Sequence, residues 1–482
     1  MKGGKPIGAG GFGCVFRPAL LCKGETERSP KTVTKLMNVV NFKEEEAELK
    51  SISPYIAKIP NNEKYFVLTQ IKKCVPKEFT AEDLKKFNEV CRPLIKGIKV
   101  RGRRRAYITS AEDIARDTAR GYFVGLNLPD GGMDVYDYLE KSKPNPTKEE
   151  IARFLRSFGE LVQKGIRPMN EVGVCHFDMK AENMVYDKPS NETKIIDWGF
   201  AKYTANAAPA PHLKKPFMFN QPFTNILFYT QNPKANPIVK YFINEFLGKN
   251  ASVPQLLKNE TFPIEEKKRR LVKILGTELR RSIFFNKSSI ADYFGNDYVI
   301  GNYSYILSEY FGKNPGALLN TMSMQIANVL IEFSYDEKAN HFIDFDLNRF
   351  FHTVFKFNVD IYGALTSLNM VPLPVRDTKR VMNYLMFGEE YAAKPYVIED
   401  VLAQIQSLSE ILVPTVAPPR TTVVPPLQAR LNLMGDIGKM GIRQTSLGGR
   451  TQKKNKKGKS TRKKGKSTRK KGKSTRKKIK RK

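Results

Sequence analysis

The sequence predicts an α+β chain: strands gathered near its start, helices through the rest of its body, and a basic tail that stays disordered. Three observations predict it. Residues 5 to about 75 hold short β-prone segments with one helix among them. From Thr147 onward the apolar spacing is helical, and Arg450 to Lys482 holds 20 lysines and arginines and no acid.

In the first region, Ile7 to Phe16 is glycine-rich and β-prone, and Thr32 to Met37 alternates as a short strand. Phe42 to Ile56 has helical spacing, and Tyr65 to Ile71 reads as a strand again. Residues 75–118 are polar and end in the basic cluster Lys99 to Arg105, the mark of an insertion. Gly121 to Leu128 returns to strand character and stops at the turn Pro129-Asp130-Gly131-Gly132.

Thr147 and Glu150 have the spacing of a capping box. Behind them Ile151, Phe154, Leu155, Phe158, Leu161, Val162 and Ile166 mark one buried helix face. Residues 225–355 are mixed, largely helical and rich in Phe, Tyr and Leu, without a chemical motif, and 356–415 complete the helical region. Pro414 to Pro426 opens a linker that runs over 416–449. Lys457 to Lys477 holds three copies of Lys-Gly-Lys-Ser-Thr-Arg-Lys, too poor in apolar side chains to pack a core, so 450–482 is expected to be disordered.

With 482 residues and 41% hydrophobic side chains the chain has ample material for a core. The formal charge is +34, of which the 20 cations of the tail leave +14 for everything before it. Such a tail points to nucleic acid or another polyanion as its partner. The five cysteines, Cys14, Cys22, Cys74, Cys91 and Cys175, are widely spaced and form no CxxC pair. Neither a zinc site nor a disulfide framework is expected, and a reducing compartment is. No run of 18 apolar residues occurs, and Met1 to Lys5 leads straight into a glycine-rich strand, so the expectation is a soluble intracellular chain with no membrane span.

Chemistry concentrates at four places. Ile7 leads into Gly8-Ala9-Gly10-Gly11-Phe12-Gly13-Cys14-Val15, where glycines let a strand-turn-strand bring backbone N–H groups close to a triphosphate. Lys35 sits amid apolar neighbours on the next strand. In the helix after it, Phe42, Leu49, Ile52 and Ile56 define an inward stripe, on which Glu45 lies and Glu48 does not. Glu45 is therefore the partner expected for Lys35, with Glu46 in reserve. The fourth place is His176-Phe177-Asp178-Met179-Lys180-Ala181-Glu182-Asn183 with Ile195-Ile196-Asp197-Trp198-Gly199. There Asp178 can accept the proton of an attacking hydroxyl and Lys180 can neutralise a transferred phosphoryl group. Asn183 and Asp197 can hold Mg²⁺ against phosphates.

These residues resemble the eukaryotic-type protein kinase family: its glycine loop, strand lysine, HxDxKxxN catalytic loop and a variant of its DFG metal loop. The resemblance is strong over 5–72 and 119–223 and weaker to about 415. It implies a bilobal fold, with a β-rich N-lobe over 1–128, a helical C-lobe over 129–415, and ATP with Mg²⁺ in the cleft between them. Leu126 to Gly132 would be the hinge. Pro129 has no N–H, so Leu128 or Gly131 would face the adenine. Lys180, two places after the aspartate, is the family's serine/threonine feature, which implies protein hydroxyls as acceptors.

Departures accompany the match. Phe177 replaces the arginine that usually receives an activation-segment phosphate, Trp198 replaces Phe, and Gln221-Pro222-Phe223 stands where Ala-Pro-Glu is expected. The next family landmark, an aspartate opening a buried helix, resembles Asp360, which makes 225–355 an insertion. Cys14-Val15-Phe16-Arg17-Pro18 and Pro216 to Phe223 look like the serine/threonine kinases of large nucleocytoplasmic DNA viruses. That likeness implies host cytoplasm or nucleus, or packaging in a virion. Two other readings stay open beside a protein kinase: a kinase of a small molecule or lipid, and a polyanion-binding virion protein with a kinase-like body.

Overall fold

The first part of the chain forms a five-stranded antiparallel sheet, ordered β1-β2-β3-β7-β4, whose central strands carry near-continuous buried runs because both faces are covered. Its strands are β1 (Lys5–Gly10), β2 (Gly13–Arg17), β3 (Thr32–Asn38) and β4 (Lys72–Cys74), then, after a hairpin of β5 (Lys99–Val100) and β6 (Arg103–Arg104), β7 (Phe123–Pro129). The computed structural model describes residues 4–10, 13–68, 71–91, 99–100, 103–104, 111–204, 218–228, 252–284, 296–336, 341–342 and 345–414. The linker and tail expected at 416–449 and 450–482 lie outside them.

One face of the sheet carries helix α1 (Val39–Ile56). Asn38 caps it by accepting from the Asn41 N–H, and its buried residues are Phe42, Glu45, Leu49, Ile52 and Ile56, the stripe the spacing predicts. The other face is covered by the insertion. Its short helices α2 (Ala81–Leu84) and α3 (Phe87–Val90), with α4 (Ala111–Ala119), bring Phe87, Cys91 and Ile114 against Cys14, Phe16, Leu20, Leu36 and Phe123. This makes a second apolar core, separate from the main one.

Two expectations about this region are corrected. The cysteines do pair: Cys14 with Cys91, 77 residues apart, and Cys22 with Cys74, 52 apart, at Cα separations of 5.3 and 5.2 Å. Wide spacing in the chain says nothing about distance once an insertion folds back over a sheet, and the cysteine argument for a reducing compartment falls with it. Nor do Tyr65–Leu68 form a strand of the sheet; of the expected strand Tyr65–Ile71, residues 69–70 lie outside the described residues. Phe66 makes an isolated parallel bridge to Ile195, with Val67 N donating to Ile195 O and Ile195 N to Tyr65 O, so this stretch is drawn toward the helical region. Sheet pairing resumes only at Lys72.

The helical region begins with the predicted capping box, in which Thr147 and Glu150 exchange both bonds at the head of Lys148–Glu160. The chain continues through a π turn, Leu161–Ile166, into Arg167–Glu171. All seven residues of the predicted stripe are buried. Small strands follow the sheet: β8 (Met133–Asp134), β9 (Val174–Cys175), β10 (Met184–Asp187), β11 (Glu192–Ile195) and β12 (Lys202–Tyr203), paired β11-β10-β8 and β12-β9. In the expected insertion the described residues are mostly helices, Ser252–Lys258, Ile264–Phe284, Asn296–Phe311 and Pro315–Glu332. Leu271, Leu275 and Leu279, one turn apart, pack into the main core with Met322, Ile326 and Leu330. No described helix is long and apolar enough to cross a membrane.

Candidate active site

The register of the sheet puts Lys35 opposite Val15 on β2 and Leu126 on β7, so its side chain leaves the sheet beneath the glycine-rich turn. Its Nζ meets Glu45 Oε1 and Oε2 at 2.9 and 2.8 Å and Asp197 Oδ1 at 2.9 Å. The sequence-based choice of Glu45 over Glu46 and Glu48 thus matches the ion pair. Lys35 and Glu45 are buried, while a third of the Asp197 side chain is open. Burial works against the Lys35 ammonium, but Asp197 and Glu45 outweigh it and lift its pKa above the usual lysine value. Burial likewise opposes the Asp197 carboxylate, but Lys35, with Lys180 beyond it, holds its pKa below the ordinary range. Both groups stay ionised.

Asp178 has every carboxylate oxygen engaged. Oδ2 accepts from Asn183 Nδ2 at 2.9 Å and Lys180 Nζ at 3.1 Å, and Oδ1 accepts from Asn220 Nδ2 at 2.8 Å. Asn183 Nδ2 also bonds Asp178 O, and Asn183 O accepts from Ile196 N, tying the loop that holds Asp178 to the loop that holds Asp197. His176 Nδ1 accepts from Asp178 N, so Nε2 carries the proton and donates to Ile196 O at 2.9 Å. Trp198 packs edge-on against both His176 and Phe66, the apolar role expected of it.

The loop backbone is strained at two of these residues: Phe177 has φ +62° and Asp197 φ +59°. Buried Asp360 holds the first in place. Its Oδ2 accepts from His176 N and Asn170 Nδ2, and its Oδ1 from Phe177 N, each at 2.8 Å. Asp360 does not open a helix as expected; it lies in the middle of Lys356–Leu365, because the apolar run from Leu347 continues helically into it. Asn220 and Gln221, which donates to Phe177 O at 2.8 Å, were not anticipated. Both lie in Pro216 to Phe223, a segment noted for its resemblance to viral kinases, but that resemblance gave neither side chain a role.

The glycine-rich turn sits over this cluster. A Cβ on Gly8 would meet nothing within 4 Å, and one on Gly10 would meet only Asp197 Oδ2, at 3.9 Å. Gly8 thus faces open space, while Gly10 lies close enough for a Cβ to touch Asp197. Gly13 is different, since its Cβ would stand 2.8 Å from Leu36 O. Ile7 is exposed at the rim and Val15 half-buried, while Cys14 turns the other way, fully buried and bonded to Cys91. Strand alternation therefore turns the Cys14 side chain away from the face on which Lys35 lies. Ala9 is exposed in β1, and Gly11 and Phe12 lie outside the described residues. At the segment expected to be the hinge, Leu128 pairs with Val33, and a Cβ on Gly131 would strike Val185 at 2.5 Å, so only glycine fits beneath that turn. Among the described residues no cluster of three or more His, Cys, Asp or Glu side chains forms a metal site. Asn183 and Asp197 present two oxygen ligands, a set that suits Mg²⁺, which keeps water and phosphate oxygens for its remaining positions.

Known proteins resemble part of this chain. A 70-residue stretch, 14% of the chain, is 37% identical to the probable serine/threonine-protein kinase fnkB of Dictyostelium discoideum and covers 12% of that protein. A 100-residue stretch, 20% of the chain, is 29% identical to the probable serine/threonine-protein kinase HSL1 of Saccharomyces cerevisiae and covers 6% of it. A second probable serine/threonine-protein kinase of Dictyostelium discoideum is 35% identical over 65 residues and 6% covered. The chain thus matches only a small part of each relative's length, and the viral likeness has no counterpart among these three. No protein-family model matches the sequence. A region of the chain is similar to serine/threonine protein kinases.

Proposed function

We propose that this chain is a serine/threonine protein kinase that moves the γ-phosphate of ATP to a protein hydroxyl. The observation that carries the reading is one convergence: Lys35, Glu45 and Asp197 share an ion-pair cluster, and Asp178, Lys180 and Asn183 share a second one tied to it through the Asn183–Ile196 backbone bond. In this reading Lys35 steadies the phosphates and Asn183 and Asp197 hold Mg²⁺. The bound cation would supply charge compensation at the phosphates. Asp178 accepts the proton of the acceptor hydroxyl as that oxygen attacks the γ-phosphorus. The bond from the γ-phosphorus to its bridging oxygen breaks, and ADP leaves. Lys180 stands beside Asp178, where charge moves with the phosphoryl group.

The test is a transfer assay with labelled ATP and mixed protein substrates. Asp197→Asn is expected to abolish transfer in a protein whose circular dichroism is unchanged. Asp178→Asn should lower kcat by about 10²–10⁴-fold with little effect on ATP affinity, since it acts on the hydroxyl. Near wild-type turnover in both variants would sink the assignment.

A further inference from the structure

The Lys35–Glu45 pair depends on where α1 lies, and something must hold α1 there. Two contacts from the segment after the metal loop do so. Glu48, one turn beyond Glu45 on α1, accepts from Lys202 Nζ at 2.7 Å. Two turns further along, Tyr55 stacks on Tyr203 with ring centroids 3.7 Å apart and planes 11° from parallel. Lys202 and Tyr203 form β12, paired with Cys175 and Val174 directly before His176. The next residue, Thr204, is buried, and both its N–H and its hydroxyl donate to Gly173 O, at 2.6 and 3.0 Å.

We propose that Lys202 and Tyr203 are positioning residues that clamp α1 to the catalytic loop and replace an activation-segment phosphate. The inference rests on the kinase reading above and names a regulatory property of that same site. A phosphate works by gathering cations and so ordering the segment. Here the cation is Lys202 and its partner is a carboxylate already on α1. Phe177 presents no charge for a phosphate, and Thr204, spent on Gly173 O and shielded from solvent, is no acceptor for one. The ion pair is partly exposed, with side chains 38% and 24% accessible, so it is screened and shares the work with the stacked rings.

The experiment uses the full chain and two readouts. Lys202→Glu and Glu48→Lys are each expected to lower kcat about fivefold, and Tyr203→Ala about tenfold, with the KM for peptide little changed. The double exchange Glu48→Lys with Lys202→Glu should recover most of the loss, and Tyr203→Phe should retain the rate. Amide hydrogen exchange over residues 42–56 should quicken in the single charge reversals and return in the exchange variant. That readout needs no activity, so it judges the clamp even if the wild-type chain transfers no phosphate, an outcome that would overturn the kinase reading alone. Phosphatase treatment of the wild-type protein should leave both readouts unchanged. Exchange rates indifferent to charge reversal, a defect that the double exchange leaves in place, or a rate that collapses on dephosphorylation would each overturn the proposal.

Discussion

Removing the two N-terminal disulfides should destabilise the sheet by an amount that depends on the order of removal. Cys14–Cys91 spans 77 residues and Cys22–Cys74 spans 52, and the second lies inside the first. Treated as closure of a free loop, the outer bridge alone is worth about 4.5 kcal/mol and the inner about 4.1 kcal/mol at 25 °C. With the inner bridge intact, however, the outer one closes only the 8 residues from Cys14 to Cys22 and the 17 from Cys74 to Cys91, roughly 25 in all. Its worth then drops to about 3.5 kcal/mol. Cys14→Ala with Cys91→Ala should therefore cost about 3.5 kcal/mol, and the four-fold alanine variant about 7.6 kcal/mol, plus a packing loss where the Cys14 and Cys91 sulfurs leave the second core. The assay is urea denaturation followed by the fluorescence of Trp198, with and without a phosphine reductant, alongside thiol counting. In denaturant without reductant one thiol, Cys175, should react with maleimide; after reduction, five should. In the native protein Cys175 should stay silent, because burial lifts its pKa well above the usual thiol value. Five reactive thiols before reduction, or a stability that the reductant does not touch, would refute the reasoning.

Two further outcomes are expected. Asp83→Ala should cost about 3–5 kcal/mol in the same denaturation experiment, since it leaves the buried Arg28 guanidinium, now 2.8 Å from Asp83 Oδ2, without its counter-charge. Truncation at Gly449 should abolish a salt-sensitive affinity for duplex DNA, the polyanion proposed for the 20 cations of the tail, while leaving phosphorylation of a short peptide unchanged; equal DNA affinity with and without the tail would contradict it.

What could be read ahead of the structure was whatever depends on neighbours in sequence. The α1 stripe separated Glu45 from Glu48 because helical geometry converts spacing directly into direction. The clustering of Asp178, Lys180 and Asn183 was legible because these side chains lie within a few residues of one another. What escaped were contacts that only the folded chain creates. Arg28 finds Asp83 across 55 residues, Cys14 finds Cys91 across 77, and Asn220 reaches Asp178 across 42. Glu48 was set aside as an outward carboxylate on correct helical grounds, yet outward from the sheet is toward Lys202. Tyr65–Ile71 has strand composition, and tertiary pairing with Ile195 overrode it. Cys14 was placed on the nucleotide face with its loop, although alternation along β2 sends its side chain to the opposite one.

The charges at the centre explain why those remote contacts matter. Lys35 faces two carboxylates, Glu45 from α1 and Asp197 from the metal loop, at nearly equal distances. Both carboxylates thus share a single buried ammonium, and in the proposed kinase a divalent cation would bind beside Asp197. Phosphate oxygens would then compete for the same ammonium, and Asp197, a third exposed, is the partner free to yield it. Glu45 is buried and has no comparable escape. The pair that must persist is therefore Lys35–Glu45, and its persistence is a matter of where β3 and α1 are held. The insertion fixes the sheet from one side through the Cys14–Cys91 disulfide and the Arg28–Asp83 pair, and β12 fixes α1 from the other. Loosening either side moves one end of the same 2.8 Å contact, so sheet stability and site geometry are coupled through a single lysine.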